Sequence, residues 1–297
     1  MAQWTAKRIN RAIELLEADQ ALYYDGPHTG HVLTYEQGKK DSKTWADYIN
    51  VGMEHGAFDM TGLEAYMRGL VDGGPTNSGH RAPTVIVEAP VNGIDGENVA
   101  FNAWQFRQIL GRGVHGILLC QAESADAVKE FVRACRFPHH KVGQDALGIG
   151  SRGRGSEPTA APIWGVDQQE YFKRCEPWPL APDGELLLGV KIESPPGVAY
   201  CEEICAVPGL GFAELGPGDL GLSLGYTTLQ RRPYPPEMEE ARRRVMAACK
   251  ANKLAYLEGQ TPQSIVAALD EGVRVIAGHN PETAKVGRAH QKRTMPV

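Results

Sequence analysis

Short β-rich apolar runs recur along the 297-residue chain, each followed by turn residues and then by apolar positions at helical spacing. The runs are GHVLTYEQ (30–37, the weakest), WADYINVGMEH (45–55), PTVIVEAPV (83–91), VHGILLCQA (114–122), LLLGVKIES (186–194), FAELGP (212–217), KLAYLEGQ (253–260) and VRVIAGH (273–279). Between them, DMTGLEAYMRGLVDG (59–73), VAFNAWQFRQILGRG (99–113), SADAVKEFVRACRF (124–137), PEMEEARRRVMAACKANK (236–253) and TPQSIVAALDEG (261–272) read as helices. Several of these begin at Ser, Thr or Asp and finish near Gly, as capped helices do. Strands apolar on both faces that alternate with helices call for a parallel sheet covered by helices. Eight such units predict an α/β fold, a (β/α)8 barrel, in one domain over 1–297 with an N-terminal helical segment over 1–28.

One stretch breaks the rhythm. Residues 143–185 are rich in Gly, Pro and Arg and exceed an ordinary βα loop, which predicts an inserted loop before the fifth strand. It reads either as a surface linker or as a lid or anion-binding loop with Arg152 and Arg154 as donors. No G-x-G-x-x-G follows the first strand and no G-x-x-x-x-G-K-[ST] occurs, so nucleotide-fold readings lose support.

Composition narrows the class. Hydrophobic residues make up 42% and charged residues 23%, the balance of a folded globular chain. A net charge of −5 gives no general field for nucleic acid or an anionic membrane, so neither is expected as a partner. The first twenty residues alternate charged and apolar positions, unlike a signal peptide, and no apolar run reaches membrane-spanning length, so a cytoplasmic location is expected. The six cysteines show no CxxC pair and read as reduced, mostly buried thiols.

In such barrels the loops at the C-terminal strand ends build the active site, so polar residues there are catalytic candidates. His55 and Glu54 end the second run, Glu88 the third and Gln121 the fourth; Glu193, Asp219 and Glu258 follow. Carboxylates gathered in a buried mouth are costly to hold without a cation, and a divalent metal removes that cost. Oxygen ligands favour Mg²⁺, Mn²⁺ or Co²⁺, with coordination positions left open for a chelating substrate. Gly216 and Gly218 would let the backbone turn and approach a ligand closely. Asp219 also reads as a helix cap, Glu193 as a surface-loop acid before Pro195, and His55 as a structural histidine. Lys191 shares the side of its strand with Glu193 by period-two alternation and is a candidate source of positive charge.

These pieces, in this order, resemble the HpcH/HpaI aldolase family of metal-dependent 2-oxo acid aldolases. The resemblance runs from about residue 30 to 290. It rests on MEHGAFDMTGLEAYM (53–67), GVHGILLCQAESADAVKEFVRACRFP (113–138), VKIES (190–194) and AVPGLGFAELGPGDLGLSLG (206–225). It implies that Glu193 and Asp219 bind a divalent ion that chelates a pyruvate-like unit. It further implies that His55 serves in proton transfer, that Gly216 and Pro217 shape the backbone around the substrate carboxylate, and that the protein is a homo-oligomer, a hexamer or trimer of dimers.

The chain departs from that family in two places. Gly52 stands where family members carry an Asp that orients the histidine. In PTVIVEAP, Ile86 is nearest to the family arginine that stabilises the enolate oxygen, with Glu88 two further on. The replacement cation is expected from Lys191, Arg152 or Arg154. The expected activity is a metal-dependent carbon–carbon lyase acting on a 2-oxo acid and an aldehyde, with Glu88, Gln121, Gly216, Pro217 and Gly218 lining the substrate. An acyl-CoA lyase or 2-oxo diacid decarboxylase or hydrolase on the same metal site, and a non-catalytic barrel used for binding or assembly, are the alternatives.

Overall fold

Valine, isoleucine and leucine fill the strand segments on both faces, and each face finds its own apolar partner. Val85, Val87, Ile117, Leu119, Leu188 and Val190 point outward into one buried cluster with the covering helices. Leu22, Tyr24, Tyr48, Ile86, Leu118, Leu187, Phe212, Leu257 and Val275 fill the interior. The computed structural model describes residues 4–278 and 280–297. Its barrel strands are β1 (Leu22–Asp25), β2 (Tyr48–Gly52), β3 (Thr84–Ala89), β4 (Gly116–Leu119), β5 (Leu186–Ile192), β6 (Phe212–Leu215), β7 (Ala255–Gly259) and β8 (Val273–Ala277). All neighbours are parallel, and β8 pairs back onto β1 through Leu22 and Val275, closing a (β/α)8 barrel. A two-residue strand, Pro177–Trp178, runs beside the start of β5.

Seven of the eight expected strands form; the first does not. Within 30–37, Thr34 accepts a hydrogen bond from Gln37 N and caps a helix over Tyr35–Asp41. That helix lies so close to the helix Met60–Gly73 that a Cβ at Gly38 would overlap the Tyr66 carbonyl. The true first strand, LYYD, lies inside the segment expected to be helical. The helix there ends at Glu17, and Asp19 turns the chain with φ 52° before Leu22. The last expected strand ends at Ala277, and its His279 lies outside the described residues.

The segment 143–185 is neither a linker nor a lid. It folds into helices Gln144–Leu147, Glu157–Trp164 and Gln168–Arg174. Trp164 Nε1 donates to Gly113 O at 2.9 Å, just ahead of β4, which puts the insertion at the N-terminal end of the barrel, opposite the mouth. The helix Arg11–Glu17 closes that same end. Asn10 caps it and donates to His115 O (3.1 Å) and Glu185 O (3.0 Å), and Ala12 N donates to Thr84 Oγ1 (3.3 Å), so the helix is tied to the starts of three strands.

Asp47, fully buried ahead of β2, fastens both ends of the chain. It binds Arg11 (3.0 Å), Arg288 (3.1 Å) and Arg293 (2.7 Å) and accepts from Tyr23 N (3.0 Å). Burial alone would raise its carboxyl, but the three guanidinium groups override this and hold it at about 2, below its ordinary 3.8. A depressed carboxyl contributes its stability above pH 3.8 and loses it as pH falls toward 2. The linkage is worth about 2 kcal/mol. Asp47→Asn is expected to lower the unfolding free energy at pH 7 by about 3 kcal/mol, because it leaves buried guanidinium groups unpaired. In urea melts the gap between variant and wild type should close between pH 5 and pH 2, and a gap that does not change with pH would contradict this account.

Candidate active site

The interior of the barrel changes character halfway up. Beyond the apolar layer, the register sets Lys191 beside Glu214 and Gly52 beside Glu88, so charged side chains occupy the upper interior. Period two carries the same face of β5 from Lys191 to Glu193 at the strand's end. Glu193 is only 2% exposed and is no surface-loop acid. Its Oε1 accepts from Gln121 N at 2.9 Å. Gln121 adopts φ 51°, a left-handed conformation uncommon outside glycine and frequent at functional sites. Its side-chain Nε2 reaches Asp219 Oδ2 at 3.1 Å, so one residue tethers both expected metal ligands.

Asp219 is not the helix cap. Gly216 holds the cap position of the helix Pro217–Ser223, Pro217 fills its first turn, and Asp219 lies in that turn with its side chain bonded by Gln121. At Gly216 a Cβ would come within 2.7 Å of Glu193 Cβ and overlap Oε2, so only glycine lets the turn pack on the Glu193 side chain. Gly218 has no such demand, since a Cβ there meets nothing nearer than Leu229 Cδ1 at 4.0 Å.

Glu54 joins the ensemble. Its Oε2 accepts from Lys191 Nζ at 2.7 Å and stands 3.7 Å from His55 Nε2. Donor atoms of Glu54, His55 and Asp219 lie within 4.8 Å of one another, as do those of Glu54, Cys120 and Glu193. Hard divalent ions prefer oxygen and nitrogen donors to sulfur, which leaves the carboxylates and the imidazole as the donor set for such an ion. Burial raises Glu193 to about 9, with Lys191 opposing and Glu54 adding to the rise. A buried carboxyl held that high is ill suited to standing ionised without a cation and well suited to exchanging its proton for one. The residues therefore fit a hard divalent ion.

Below this cluster sits a second polar layer. Burial pulls the Lys191 ammonium down, but Cys120, Glu214, Glu88 and Glu193 around it reverse the direction and keep it charged. Burial raises Glu214 to about 7, against the pull of Lys191 and His28. Glu88 Oε1 accepts from His28 Nδ1 (2.6 Å) and Asn50 Nδ2 (3.0 Å). Burial would raise Glu88, yet the His28 bond and Lys191 bring it below its usual range.

Three sequence expectations fail here. Arg152 does not reach the mouth: it is 1% exposed in the insertion, where it bonds Tyr171 OH (2.8 Å), Cys175 Sγ (2.7 Å) and Ser156 Oγ (3.1 Å) and stacks on Phe137. Glu258 faces outward to Arg242 at 3.0 Å, because alternation from the inward Leu257 turns it away. Glu88, by contrast, lies inside the barrel, fully buried and bonded to His28 and Asn50. Arg154, the other loop cation, packs over Phe172 beside Glu157, at the wrong end of the barrel. Conversely, His28, Asn50 and Glu214 were missed. Glu214 stands two residues before Gly216, and alternation from Lys191's neighbour strand would have placed it inward. His28 follows the strand LYYD, whose apolar spacing continues that of the helix before it, so no strand-end signal marks it.

The model of the HpcH/HpaI aldolase/citrate lyase family matches residues 94–271. A hydroxypyruvate/pyruvate aldolase of Delftia acidovorans is 32% identical over 172 residues, which cover 58% of this chain and 56% of that one. The chain thus spans little more than half the length of the curated relatives it matches. Among solved structures, a family protein from Burkholderia cenocepacia superposes with a TM-score of 0.69 at 21% identity, covering 95% of this chain and 96% of that one. A citrate lyase β subunit from M. tuberculosis, complexed with oxaloacetate and magnesium, superposes with 0.53 at 15% identity, covering 92% and 98%. With its closed parallel barrel and a matched segment that includes both Glu193 and Asp219, the chain belongs to the HpcH/HpaI aldolase/citrate lyase family.

Proposed function

We propose that this chain is a divalent-metal-dependent lyase that breaks or forms a carbon–carbon bond of a 2-oxo acid through a pyruvate enolate, with an aldehyde as the second reactant. The observation that carries this reading is the Gln121 bridge, which holds Glu193 and Asp219 together beside Glu54 at the barrel mouth. The aldolase named among the relatives, and the oxaloacetate and magnesium of the M. tuberculosis neighbour, support the same chemistry. Glu193 and Asp219, with Glu54 alongside, would hold the ion, and Mg²⁺, Mn²⁺ and Co²⁺ all suit oxygen donors. When bound, the ion supplies positive charge where negative charge develops on the substrate's keto oxygen.

The chain's own residues do the rest. Lys191, buried and held by Glu54, supplies the fixed cation that the resemblance assigns to an arginine. Gly216, Pro217 and Gly218 border the acid cluster and shape the backbone around the substrate carboxylate. Proton transfer falls to a histidine of the mouth, where His55 and His28 both stand. The acyl-CoA alternative, which the citrate lyase neighbour also fits, would need basic residues for a nucleotide tail, and the basic loop SRGRGS lies at the opposite end of the barrel.

Glu193→Ala and Asp219→Ala should each abolish Mn²⁺ binding by calorimetry and metal-dependent release of pyruvate from 4-hydroxy-2-oxo acids, with circular dichroism unchanged. Full turnover in both variants would sink the reading. Gly216→Ala, which forces the Glu193 carboxylate aside, should weaken Mn²⁺ binding about tenfold or more, while Gly218→Ala, whose Cβ enters open space, should change it less than about threefold. Equal losses in the two would refute the packing argument.

A further inference from the structure

Among the described residues, His55 and His28 face the mouth, and they are not equally equipped. His55 has its side chain 53% exposed, and its nearest carboxylate oxygen, Glu54 Oε2, is 3.7 Å away and already engaged by Lys191. Among the described residues no hydrogen bond fixes its ring orientation or tautomer. His28 sits after β1 with its side chain 41% exposed, and its Nδ1 donates to the fully buried Glu88 at 2.6 Å. That carboxylate is itself oriented, since Asn50 Nδ2 donates to the same oxygen at 3.0 Å. The other ring nitrogen, Nε2, keeps one long contact with Tyr24 OH at 3.5 Å, at the limit of a hydrogen bond.

The backbone is shaped to hold this arrangement. A Cβ at Gly52 would come within 2.6 Å of His28 Cα and overlap its carbonyl. Gly26, at φ 120°, sits so close to β2 that a Cβ would overlap the Asn50 carbonyl. The loop bearing His28 therefore occupies the very space that a side chain at position 52 would need. A carboxylate cannot orient a histidine from that position in this chain. Glu88, two strands along, does so instead.

We propose that His28, held by Glu88, carries the proton in this site's reaction, and that Glu88 is its positioning residue. The inference rests on the lyase reading above and names the acid–base group of that same site. In the cleavage direction His28 Nε2 accepts the proton of the substrate's C4 hydroxyl as the C3–C4 bond breaks. The bond's electron pair moves to C3 and onward to the keto oxygen, leaving the aldehyde and the pyruvate enolate. The imidazolium then returns the same proton to C3, so the base is regenerated and no other reactant is needed. Among the described residues the ring is faced by Glu88 from β3, Glu214 from β6, Lys191 from β5 and Tyr24 from β1. The Glu88 hydrogen bond outweighs burial and holds His28 above its ordinary value.

The test uses the full chain with Mn²⁺, following exchange of pyruvate's methyl protons in D2O and cleavage of a 4-hydroxy-2-oxo acid. His28→Asn is expected to lower both rates at least about 100-fold, with KM and Mn²⁺ affinity within threefold of wild type. His55→Asn should lose less. Glu88→Gln keeps an acceptor for Nδ1 but removes the charge. Because the base must be neutral, the rate climbs with pH as His28 deprotonates, and this variant should move that acidic limb to lower pH. Titration of the His28 ring by NMR should move the same way, and a merely structural role for Glu88 would lower the rate without moving the limb. The proposal is overturned if His28→Asn keeps a third of wild-type exchange, if His55→Asn loses more, or if the limb and the ring titration stay put in Glu88→Gln. Should wild type exchange no methyl protons with Mg²⁺, Mn²⁺ or Co²⁺, the lyase reading itself fails and the proposal goes with it.

Discussion

One ammonium group inside the barrel sets the terms for everything at its mouth. Lys191 Nζ is bonded to Glu54 and lies within the fields of Glu88, Glu193 and Glu214, so a single fixed cation faces carboxyls from four elements. At about 4 Å and an effective dielectric near 20, each such pair is worth a few kcal/mol, enough to keep the lysine charged against its burial. It is not enough for four acids. Glu88 settles its share through His28 and Asn50, whereas Glu214 and Glu193 drift up to about 7 and about 9. Burial thus favours the protonated form of both acids, and of Glu193 the more strongly.

Glycines decide where those charges stand. Gly216 lets the helix Pro217–Ser223 begin directly on Glu193, and Gly52 lets the His28 loop settle on β2. Each admits backbone or carboxylate where a methyl group would stand, so the geometry of the acid cluster and of the His28–Glu88 pair is fixed by absent side chains as much as by present ones. This also accounts for the departure at position 52. The missing acid is a consequence of the loop that lies there, and the orienting role passes to a buried glutamate with a second donor to lock it.

Most of the barrel was legible because its strands are apolar on both faces and its helices are capped, two signals that local sequence carries. Glu193 and Asp219 were legible for the same reason, since each follows a clear strand. The first strand was not: LYYD continues the apolar spacing of the preceding helix, and only the turn at Asp19 separates them. That one error hid His28. Arg152 was misplaced because a Gly- and Arg-rich stretch reads as a solvent loop, whereas Tyr171, Cys175 and Phe137, distant along the chain, gather around its guanidinium. Whether Glu88 touches substrate or stands behind another residue depends on packing between strands, which spacing along one strand does not encode.

The two ends of the barrel hold buried charge by different means, and the contrast explains their different uses. At the N-terminal end Arg152 has no carboxylate among its bonded partners. Two hydroxyls and a thiol bond its terminal nitrogens, and the rings of Phe137 and Tyr171 stand 4.5 and 5.6 Å from its carbon. Such a cation–π seat is apolar around a charge that never titrates, so it binds the insertion to the barrel without offering an exchangeable site. At the mouth Lys191 and Glu54, and His28 and Glu88, hold one another as ionisable pairs, and partial exposure of His28 and Asp219 leaves solvent access. The N-terminal end thus fastens the chain with guanidinium groups in surplus, three around Asp47 and one among aromatic rings at Arg152, whereas at the mouth carboxyls compete for too little positive charge.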